Sequence, residues 1–259
     1  MTVSSSAPSA ANEFNGRLAF ITGAGSGIGA ATARLLARRG ASLALADIDE
    51  AAAHTVAGEI AQEGGRAIAF RVDVGDPRSV EDAVARAAAS HGGLDLAVNA
   101  AGITGALTPC GDYDLDAWHR IVNINLAGVF FCMRFQIPQM VRRGGGAIVN
   151  LSSIMGSNAM AGTVAYTASK HGVEGATKAA ALDYADKGIR VNAVAPGYVD
   201  TPLIARRKAE AHERMVALHP MGRIAQPGEI AQLIAFLLSP QAAFITGSVH
   251  MADGGYSAR

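Results

Sequence analysis

The sequence predicts an α/β fold in which one doubly wound domain is built on a parallel sheet of about seven strands. From residue 17 onward, short β-branched or apolar runs alternate with Ala-rich helical segments, which is the pattern of repeated β-α-β units. No linker, internal repeat or low-complexity tract interrupts this alternation. A chain of 259 residues, 50% of them hydrophobic, can bury the core that such a domain needs.

The expected strands are short apolar runs that end at small or polar residues. They cover residues 18–22, 42–46, 67–72, 94–99, 147–151, 190–195 and 248–251. Helical segments separate them, and several of these are followed by a glycine that would end a helix. The expected helices cover residues 28–39, 50–63, 77–91, 115–142, 164–187 and 227–238.

Two segments depart from the alternation. Residues 1–13 are rich in Ser and Ala, so we expect a disordered tail before a single domain over residues 14–259. Residues 201–219 are charged and helical, with Arg206, Arg207 and Lys208 among them. This segment follows a strand end, where open α/β sheets bind their ligands, and is predicted to be a mobile lid. A solvated surface helix is the alternative.

The composition excludes several classes of function. Lys and Arg total 22, as do Asp and Glu, so there is no basic excess for nucleic acid or an anionic membrane surface. The longest apolar run near the C-terminus, 233–238, is far shorter than the ~20 residues of a membrane span. Two cysteines and seven histidines lack the spacing of a disulfide framework or a metal site. We expect a cytoplasmic protein with no metal, membrane or nucleic-acid partner.

A glycine-rich run follows the first predicted strand. Residues 22–29 read Thr-Gly-Ala-Gly-Ser-Gly-Ile-Gly, and a helix begins within the run. Glycines let the backbone turn sharply and approach a pyrophosphate, whose charge the helix N-terminus attracts. Such loops are often only turns, but the strand-turn-helix context favours phosphate binding. The residues expected to hold the phosphates are Gly23, Ser26, Gly27, Ile28 and Gly29.

Asp47 ends the second predicted strand, 18 residues beyond Gly29, near the position where an acidic residue usually binds the ribose hydroxyls. A carboxylate there would repel a 2′-phosphate, which predicts NAD rather than NADP as the cofactor. The next residue, Ile48, is also expected to contact the cofactor. Two alternatives remain: the basic pair Arg38-Arg39 could favour NADP, and Asp47 could be only a cap for the next helix.

Tyr166 and Lys170 stand four residues apart in a helical pattern, so they share one face. An ammonium ~4 Å from a phenol oxygen, at an effective dielectric constant near ~20, favours phenolate by roughly 4 kcal/mol. This is ~3 pKa units, enough to bring a tyrosine towards neutrality, where a general acid/base works best. Ser153, after another strand, could donate to a substrate oxygen. The alternative for Tyr166 and Lys170 is that they are only neighbours on the protein surface. The alternative for Ser153 is an ordinary role in a turn.

These motifs together resemble the short-chain dehydrogenase/reductase family over residues 17–256. The motifs are residues 22–29, Asn99-Ala100-Ala101-Gly102, Asn125-Leu126-Ala127-Gly128, Ser153, Tyr166 with Lys170, and Pro196-Gly197 followed by Thr201. The resemblance implies a Rossmann-type domain and a catalytic tetrad of Asn125, Ser153, Tyr166 and Lys170. Tyr166 would be the acid/base and Ser153 would orient and polarise the substrate oxygen. Lys170 would bind the nicotinamide ribose and lower the tyrosine's pKa, and Asn125 would hold a proton-relaying water.

The resemblance also implies further cofactor contacts. Asp73 and Val74 would meet the adenine, and Asn99 would support the ribose region. Thr201 and the backbone of Val199 would hold the carboxamide. The remaining motif residues assigned to the cofactor are Ala100, Gly102, Pro196 and Gly197, together with Tyr166 and Lys170. The resemblance implies dimers or tetramers, and we expect a homotetramer. The small residues along helix 164–187 would permit close contact with another helix, although helix propensity alone would also enrich Ala.

The expected substrate pocket is apolar. Its predicted lining is Ile103, Thr104, Met155, Met160, Tyr198, Leu203 and Met215, with core packing as the alternative for the methionines. The predicted function is hydride transfer between NAD(H) and a secondary alcohol or ketone, on a cyclic or medium-sized hydrophobic substrate. The alternatives are an NADPH-dependent carbonyl reductase for 3-oxoacyl or sugar substrates, and a non-catalytic nucleotide sensor.

Overall fold

The computed structural model describes residues 12–205 and 209–258. Its centre is a sheet of seven parallel strands, as the alternation predicted. The strands are β1 Leu18–Thr22, β2 Ser42–Asp47, β3 Arg66–Arg71, β4 Leu96–Asn99, β5 Gly146–Leu151, β6 Ile189–Pro196 and β7 Val249–Ala252. Their order across the sheet is β3-β2-β1-β4-β5-β6-β7, so the chain changes its direction of growth between β1 and β4.

Helices connect the strands. They are α1 Gly27–Arg38, α2 Glu50–Gln62, α3 Pro77–His91, α4 Leu115–Val122, α5 Gly128–Arg143, α6 Val164–Tyr184, α7 Pro202–Ala205, α8 Ala209–Ala217 and α9 Pro227–Leu238. Three of them begin at an aspartate whose side chain accepts a hydrogen bond from the first turn: Asp49, Asp76 and Asp114. Such caps satisfy N–H groups that the helix itself cannot pair.

Both faces of the sheet are covered. Along β1, Ala19 and Ile21 belong to one core with Leu36 of α1 and Ile234 of α9. Leu18 and Phe20 belong to the other, which α3 and α5 complete. Because a parallel sheet needs helices on both faces, its strands read as continuous apolar runs, and this is why they were visible in the sequence.

The carboxyl ends of the central strands lie level with one another. Thr22 pairs with Ala46 on one side and with Asn99 on the other. The Thr22 hydroxyl accepts hydrogen bonds from the backbone N–H groups of Ala100 and Ala101, at 3.1 and 3.2 Å. The loops after β1 and β4 are therefore joined at the switch point of the sheet, where doubly wound folds bind ligands.

The helix expected over residues 115–142 is interrupted. Between α4 and α5 the backbone widens into a π turn, Asn123–Ala127, in which the Gly128 N–H bonds to the Asn123 carbonyl. A π turn inserts one extra residue and rotates the side chains that follow. The span Leu115–Arg143 is apolar enough by length and composition to cross a membrane. Its side chains Met133 and Met140 are buried in the core instead, which is how a core helix passes the same test.

The two atypical segments are only partly described. Residues 1–11 of the predicted tail and 206–208 of the predicted lid lie outside the described residues. At the end of the predicted tail, the Glu13 carboxylate pairs with Arg39 at 3.2 Å, so that residue is held against the domain. The lid interval contains α7 and α8, in agreement with its helical pattern.

Candidate active site

The glycine loop after β1 is so close to neighbouring backbone that side chains would not fit. Gly23 has φ +65°, and a Cβ there would lie 3.0 Å from the backbone of Ala101. A Cβ on Gly29 would lie 2.1 Å from the Gly23 carbonyl oxygen. Ser26 begins α1 without capping it, so the first N–H groups of the helix remain available at the loop. The loop therefore has the shape and charge that a pyrophosphate needs.

The carboxylate of Asp47 lies against this loop. Its two oxygens accept hydrogen bonds from the backbone N–H groups of Gly25, at 2.8 Å, and Asp49, at 3.0 Å. The cap of α2 is Asp49, which bonds to the Ala52 N–H at 3.1 Å. The alternative that Asp47 is only the cap of that helix is therefore wrong.

Of the other residues assigned to the adenine and ribose, Asn99 is oriented differently from the expectation. Its buried amide exchanges hydrogen bonds with Gln136 and donates one to Asn150. The side chain is thereby committed to the interior, and only its backbone can reach a cofactor. Asp73 accepts from the Gly75 N–H at 2.9 Å, and Val74 is buried where a Cβ on Gly128 would touch it.

The end of the site opposite Asp47 lies after β6. The Thr201 methyl group is close to the glycine loop, since a Cβ on Gly27 would meet it at 3.1 Å. Pro196 ends β6, and Val199 forms a bridge with Ala225. Thr201, Val199 and Pro196 line one cavity that Ile28 of α1 and Tyr166 also line. The glycine loop and the tyrosine thus face the same space.

Ser153, Tyr166 and Lys170 meet at this cavity. The Ser153 hydroxyl accepts from the Met155 N–H at 3.1 Å, which fixes its direction, and its hydrogen bonding lowers the pKa of the Tyr166 phenol. The buried Lys170 ammonium donates to the Leu151 carbonyl at 2.7 Å and lies 5.7 Å from the centre of the Tyr166 ring. The arrangement can move a proton between Tyr166 and an oxygen that Ser153 also contacts.

The pKa values differ from the sequence estimate. Burial raises the pKa of Tyr166, the Tyr198 phenol adds to the increase, and only the Ser153 hydrogen bond lowers it. Burial also lowers the pKa of Lys170, from 10.5 to about 8. The expected Lys170-driven fall towards neutrality is therefore wrong for the protein by itself. Attraction between the two groups favours the phenolate, but burial removes water from both groups and opposes their charged forms.

Asn125 lies in the π turn and is fully buried. Its amide donates to the Ile103 carbonyl at 2.9 Å and to the Ser169 hydroxyl at 3.3 Å, and its oxygen accepts from the Ile103 N–H at 2.8 Å. Gly102 lies between Asn125 and Lys170, and a Cβ there would be 3.2 Å from the Asn125 oxygen. Asn125 therefore fixes the loop after β4. Because both hydrogens of the Asn125 amide are used, a water held by this residue must donate a hydrogen bond to one of its oxygens, either the side-chain Oδ1 or the backbone carbonyl.

Comparison with known proteins identifies the family. A family model described as enoyl-(acyl carrier protein) reductase matches residues 23–257. A cyclohexanol dehydrogenase from Acinetobacter sp. (strain SE19) is 48% identical over 249 residues, covering 96% of this chain and 98% of that protein. A crystallised short-chain type dehydrogenase/reductase from Mycobacterium marinum is 36% identical with a TM-score of 0.91, covering 96% and 98% of the two chains. The chain belongs to the short-chain dehydrogenase/reductase family.

A second relative of this dehydrogenase is a cis-4-hydroxycyclohexanecarboxylate dehydrogenase from Sinomonas cyclohexanicum. It is 48% identical over 245 residues, which cover 95% of this chain and 98% of that protein. The predictions of an oxidoreductase for alcohols and ketones, with a nicotinamide cofactor, are confirmed at that level.

Most of the pocket lining expected for the dehydrogenase is present. Five predicted residues line the cavity: Thr104, Met155, Met160, Tyr198 and Leu203. Ile103 and Met215 do not line it: the Ile103 backbone is hydrogen-bonded to the Asn125 side chain, and Met215 of α8 is buried elsewhere. Four further residues line the cavity and were not predicted from the sequence: Leu107, Tyr113, Thr163 and Ile204. The first two follow β4, and the position of that long loop at the switch point was the available signal.

Proposed function

We propose that this dehydrogenase interconverts a cyclic secondary alcohol and its ketone with NAD(H). The observation that carries the proposal is the cavity in which the Ser153–Tyr166 pair meets apolar walls beside the glycine loop. Lys170 is the one charged side chain among the described residues that line it. A neutral, ring-shaped substrate fits such walls, and the two relatives described above are named for ring alcohols.

The chain's residues divide the chemistry between them. In alcohol oxidation, the Tyr166 phenolate takes the hydroxyl proton while Ser153 donates to the same substrate oxygen. The carbon–hydrogen bond breaks, and its electron pair stays with the departing hydrogen. A nicotinamide held beside the glycine loop would supply the acceptor for that hydride. Each oxidation thus leaves one ketone and one protonated Tyr166, with two electrons passed to the hydride acceptor, and ketone reduction is the reverse.

Asp47 supports NAD over NADP. Its carboxylate is held against the glycine loop by two backbone hydrogen bonds, so it cannot readily turn away from a ribose there. A 2′-phosphate in its place would be repelled. The basic pair that could favour NADP is occupied, since Arg38 pairs with Glu63 at 3.5 Å and Arg39 with Glu13.

The alternative functions have less support. A sugar presents several hydroxyl groups, each of which would lose its hydrogen bonds against apolar walls. The NADPH-dependent reductase conflicts with Asp47. A nucleotide sensor would not need the hydroxyl groups of Ser153 and Tyr166 together in an apolar cavity.

We also propose a cytoplasmic homotetramer. The stripe of small residues on α6 is partly used inside the chain, because a Cβ on Gly172 would meet Leu126 at 2.7 Å, whereas Gly175 has open space beside it. Phe130 of α5 and Leu182 of α6 remain 53% and 83% exposed, which suits a contact between copies. Light scattering of the purified protein tests this, and a monomer at micromolar concentration would exclude it.

A substrate panel tests the function. Cyclohexanol, cyclohexanediols, linear secondary alcohols of equal carbon number and a sugar alcohol are each assayed with NAD and NADP by absorbance of the reduced nicotinamide. We expect the cyclic alcohols with NAD to give the highest kcat/KM. Tyr166→Phe should lower kcat by about 10²- to 10⁴-fold while the Kd for NAD is unchanged. NAD binding without turnover of any alcohol would instead indicate a sensor.

A further inference from the structure

A buried carboxylate lies one helical turn beyond Lys170. Glu174 of α6 is 7% exposed, and its two oxygens accept hydrogen bonds from two different serines. The Ser152 hydroxyl donates to one oxygen at 2.9 Å and the Ser157 hydroxyl to the other at 3.1 Å. These serines are the two ends of residues 152–157, here named the serine turn. Ser153, the partner of Tyr166, lies within it.

The neighbouring chain is shaped around this carboxylate. A Cβ on Gly156 would lie 2.1 Å from a Glu174 oxygen and 2.3 Å from the Ser152 hydroxyl, so the serine turn needs glycine there. Burying a carboxylate costs several kcal/mol unless hydrogen bonds replace its hydration. An apolar side chain at position 174 would avoid that cost. The presence of a buried carboxylate at position 174 therefore indicates a role for Glu174 beyond filling space in the core.

The position of Glu174 suggests the task. Tyr166, Lys170 and Glu174 follow one another at intervals of four residues, which places them along one side of α6. Glu174 joins both ends of the serine turn to the helix that carries Tyr166. Charge-assisted hydrogen bonds are shorter and stronger than neutral ones, so this connection is stiff.

We propose that Glu174 is a positioning residue that holds the serine turn against α6 and so keeps the Ser153 hydroxyl within hydrogen-bond distance of Tyr166. The inference rests on the proposed function, because it assigns Glu174 to the reaction of that pair. Glu174 itself does not line the cavity. It acts through Ser152 and Ser157.

Two substitutions separate positioning from bulk packing. Glu174→Met keeps most of the volume and removes both acceptors, so kcat should fall about tenfold or more, since small misplacements of catalytic groups cost up to ~10²-fold. Glu174→Gln can accept from Ser152 and donate to the Ser157 oxygen, so kcat should stay within about threefold of wild type. The Kd for NAD should stay within about twofold in both variants, because neither oxygen contacts the glycine loop.

The protonation of Tyr166 gives a readout that loss of stability alone would not change. The Ser153 hydrogen bond lowers the pKa of Tyr166, while Tyr198 and burial raise it. Releasing the serine turn should therefore shift phenolate formation to higher pH. Ultraviolet titration of each enzyme against its Tyr166→Phe counterpart measures this without substrate. The pH limb of kcat/KM for alcohol oxidation should move in the same direction.

A matched control and a second variant complete the test. Ser239→Ala removes a buried capping hydroxyl after α9, far from the cavity, and should lower the Tm without changing kcat or the Tyr166 titration. If Glu174→Met does not fold, Ser152→Ala combined with Ser157→Ala removes the same two hydrogen bonds and must show the same changes. Wild-type kcat and an unshifted Tyr166 titration in the variant that folds would overturn the proposal. An inactive wild type with a shifted titration in Glu174→Met would instead overturn the proposed function alone.

Discussion

Asp47→Asn removes the charge that is proposed to select NAD and keeps the shape of the side chain. The two carboxylate oxygens accept from the backbone N–H groups of Gly25 and Asp49. An amide has only one oxygen, so its NH₂ group must face one of these N–H groups. That donor loses its partner, which costs about 1–3 kcal/mol and loosens the loop.

Two effects then change the cofactor preference. A hydrogen bond from a ribose hydroxyl to a carboxylate contributes about 1.5–3 kcal/mol, whereas one to a neutral amide contributes about 0.5–1.5 kcal/mol. The affinity for NAD should therefore fall by roughly tenfold or more. A carboxylate ~4 Å from a unit negative charge is repelled by about 4 kcal/mol at an effective dielectric constant of ~20. Solvent screening at this partly exposed site reduces that figure. We expect the ratio of kcat/KM for NAD to that for NADP to fall by at least about 10²-fold, which is ~3 kcal/mol.

Initial rates with both cofactors measure the ratio, and Asp49→Asn is the matched control. Asp49 lies two residues further on and caps α2, where Asn serves as well as Asp. The control removes the same charge, so its ratio should change less than threefold. The reasoning is refuted by an unchanged ratio in Asp47→Asn, or by an equal change in the control.

Three further predictions concern the loop, the buried lysine and the pocket wall. Gly29→Ala should weaken NAD binding at least about tenfold, because its Cβ would lie 2.1 Å from the Gly23 carbonyl oxygen; Gly58→Ala, in open space on α2, should leave the Kd unchanged. Burial lowers the pKa of Lys170 from 10.5 to about 8. Between about pH 8 and 10.5 the unfolded state therefore binds one more proton than the folded state, so the free energy of unfolding rises with pH in that window. Urea melts should show the wild type gaining up to about 3 kcal/mol over Lys170→Met between pH 7 and 10, with no change in the difference below pH 7. His219→Phe removes the acceptor of the Tyr198 backbone N–H and the hydrogen bond to the Met215 carbonyl, so Tyr198 should be less firmly placed in the cavity wall. KM for the alcohol should rise about tenfold with kcat nearly constant, and an unchanged KM would exclude a role of His219 in placing Tyr198.

The sheet could be predicted from the sequence because its buried central strands are mostly apolar, although side chains of the edge strand β3 are partly exposed. The strand order was recoverable in outline, but boundaries moved by one or two residues. The fourth strand begins at Leu96 rather than at residue 94, and the Asp95 carboxylate binds the Leu18 N–H at the start of β1. The π turn before Gly128 had no visible signal, since Asn-Ile-Asn-Leu-Ala contains neither proline nor glycine.

The residues that approach the cavity from neighbouring elements were harder to find. Glu174 follows Lys170 by four residues, a spacing that in a sequence reads as an exposed ion pair on a helix. In the structure the two groups bind different partners, the Leu151 carbonyl and the serines of the serine turn. His219 likewise stood alone in the sequence, although it is buried and contacts the rings of Tyr198 and Tyr256. Only tertiary burial distinguishes such residues from surface ones.

Burial of Tyr166 and Lys170 also bears on the two directions of the proposed reaction. A phenol with a raised pKa is protonated at neutral pH, which is the form that donates to a developing alkoxide during ketone reduction. Alcohol oxidation needs the phenolate, and among the described residues the Ser153 hydrogen bond is the one influence that lowers the pKa of Tyr166. Lys170, with its pKa lowered to about 8, remains mostly cationic at pH 7, but its ammonium is directed at the Leu151 carbonyl. Under the proposed function, a bound oxidised nicotinamide would bring positive charge to the site, and this charge would favour the phenolate when a hydride acceptor is present.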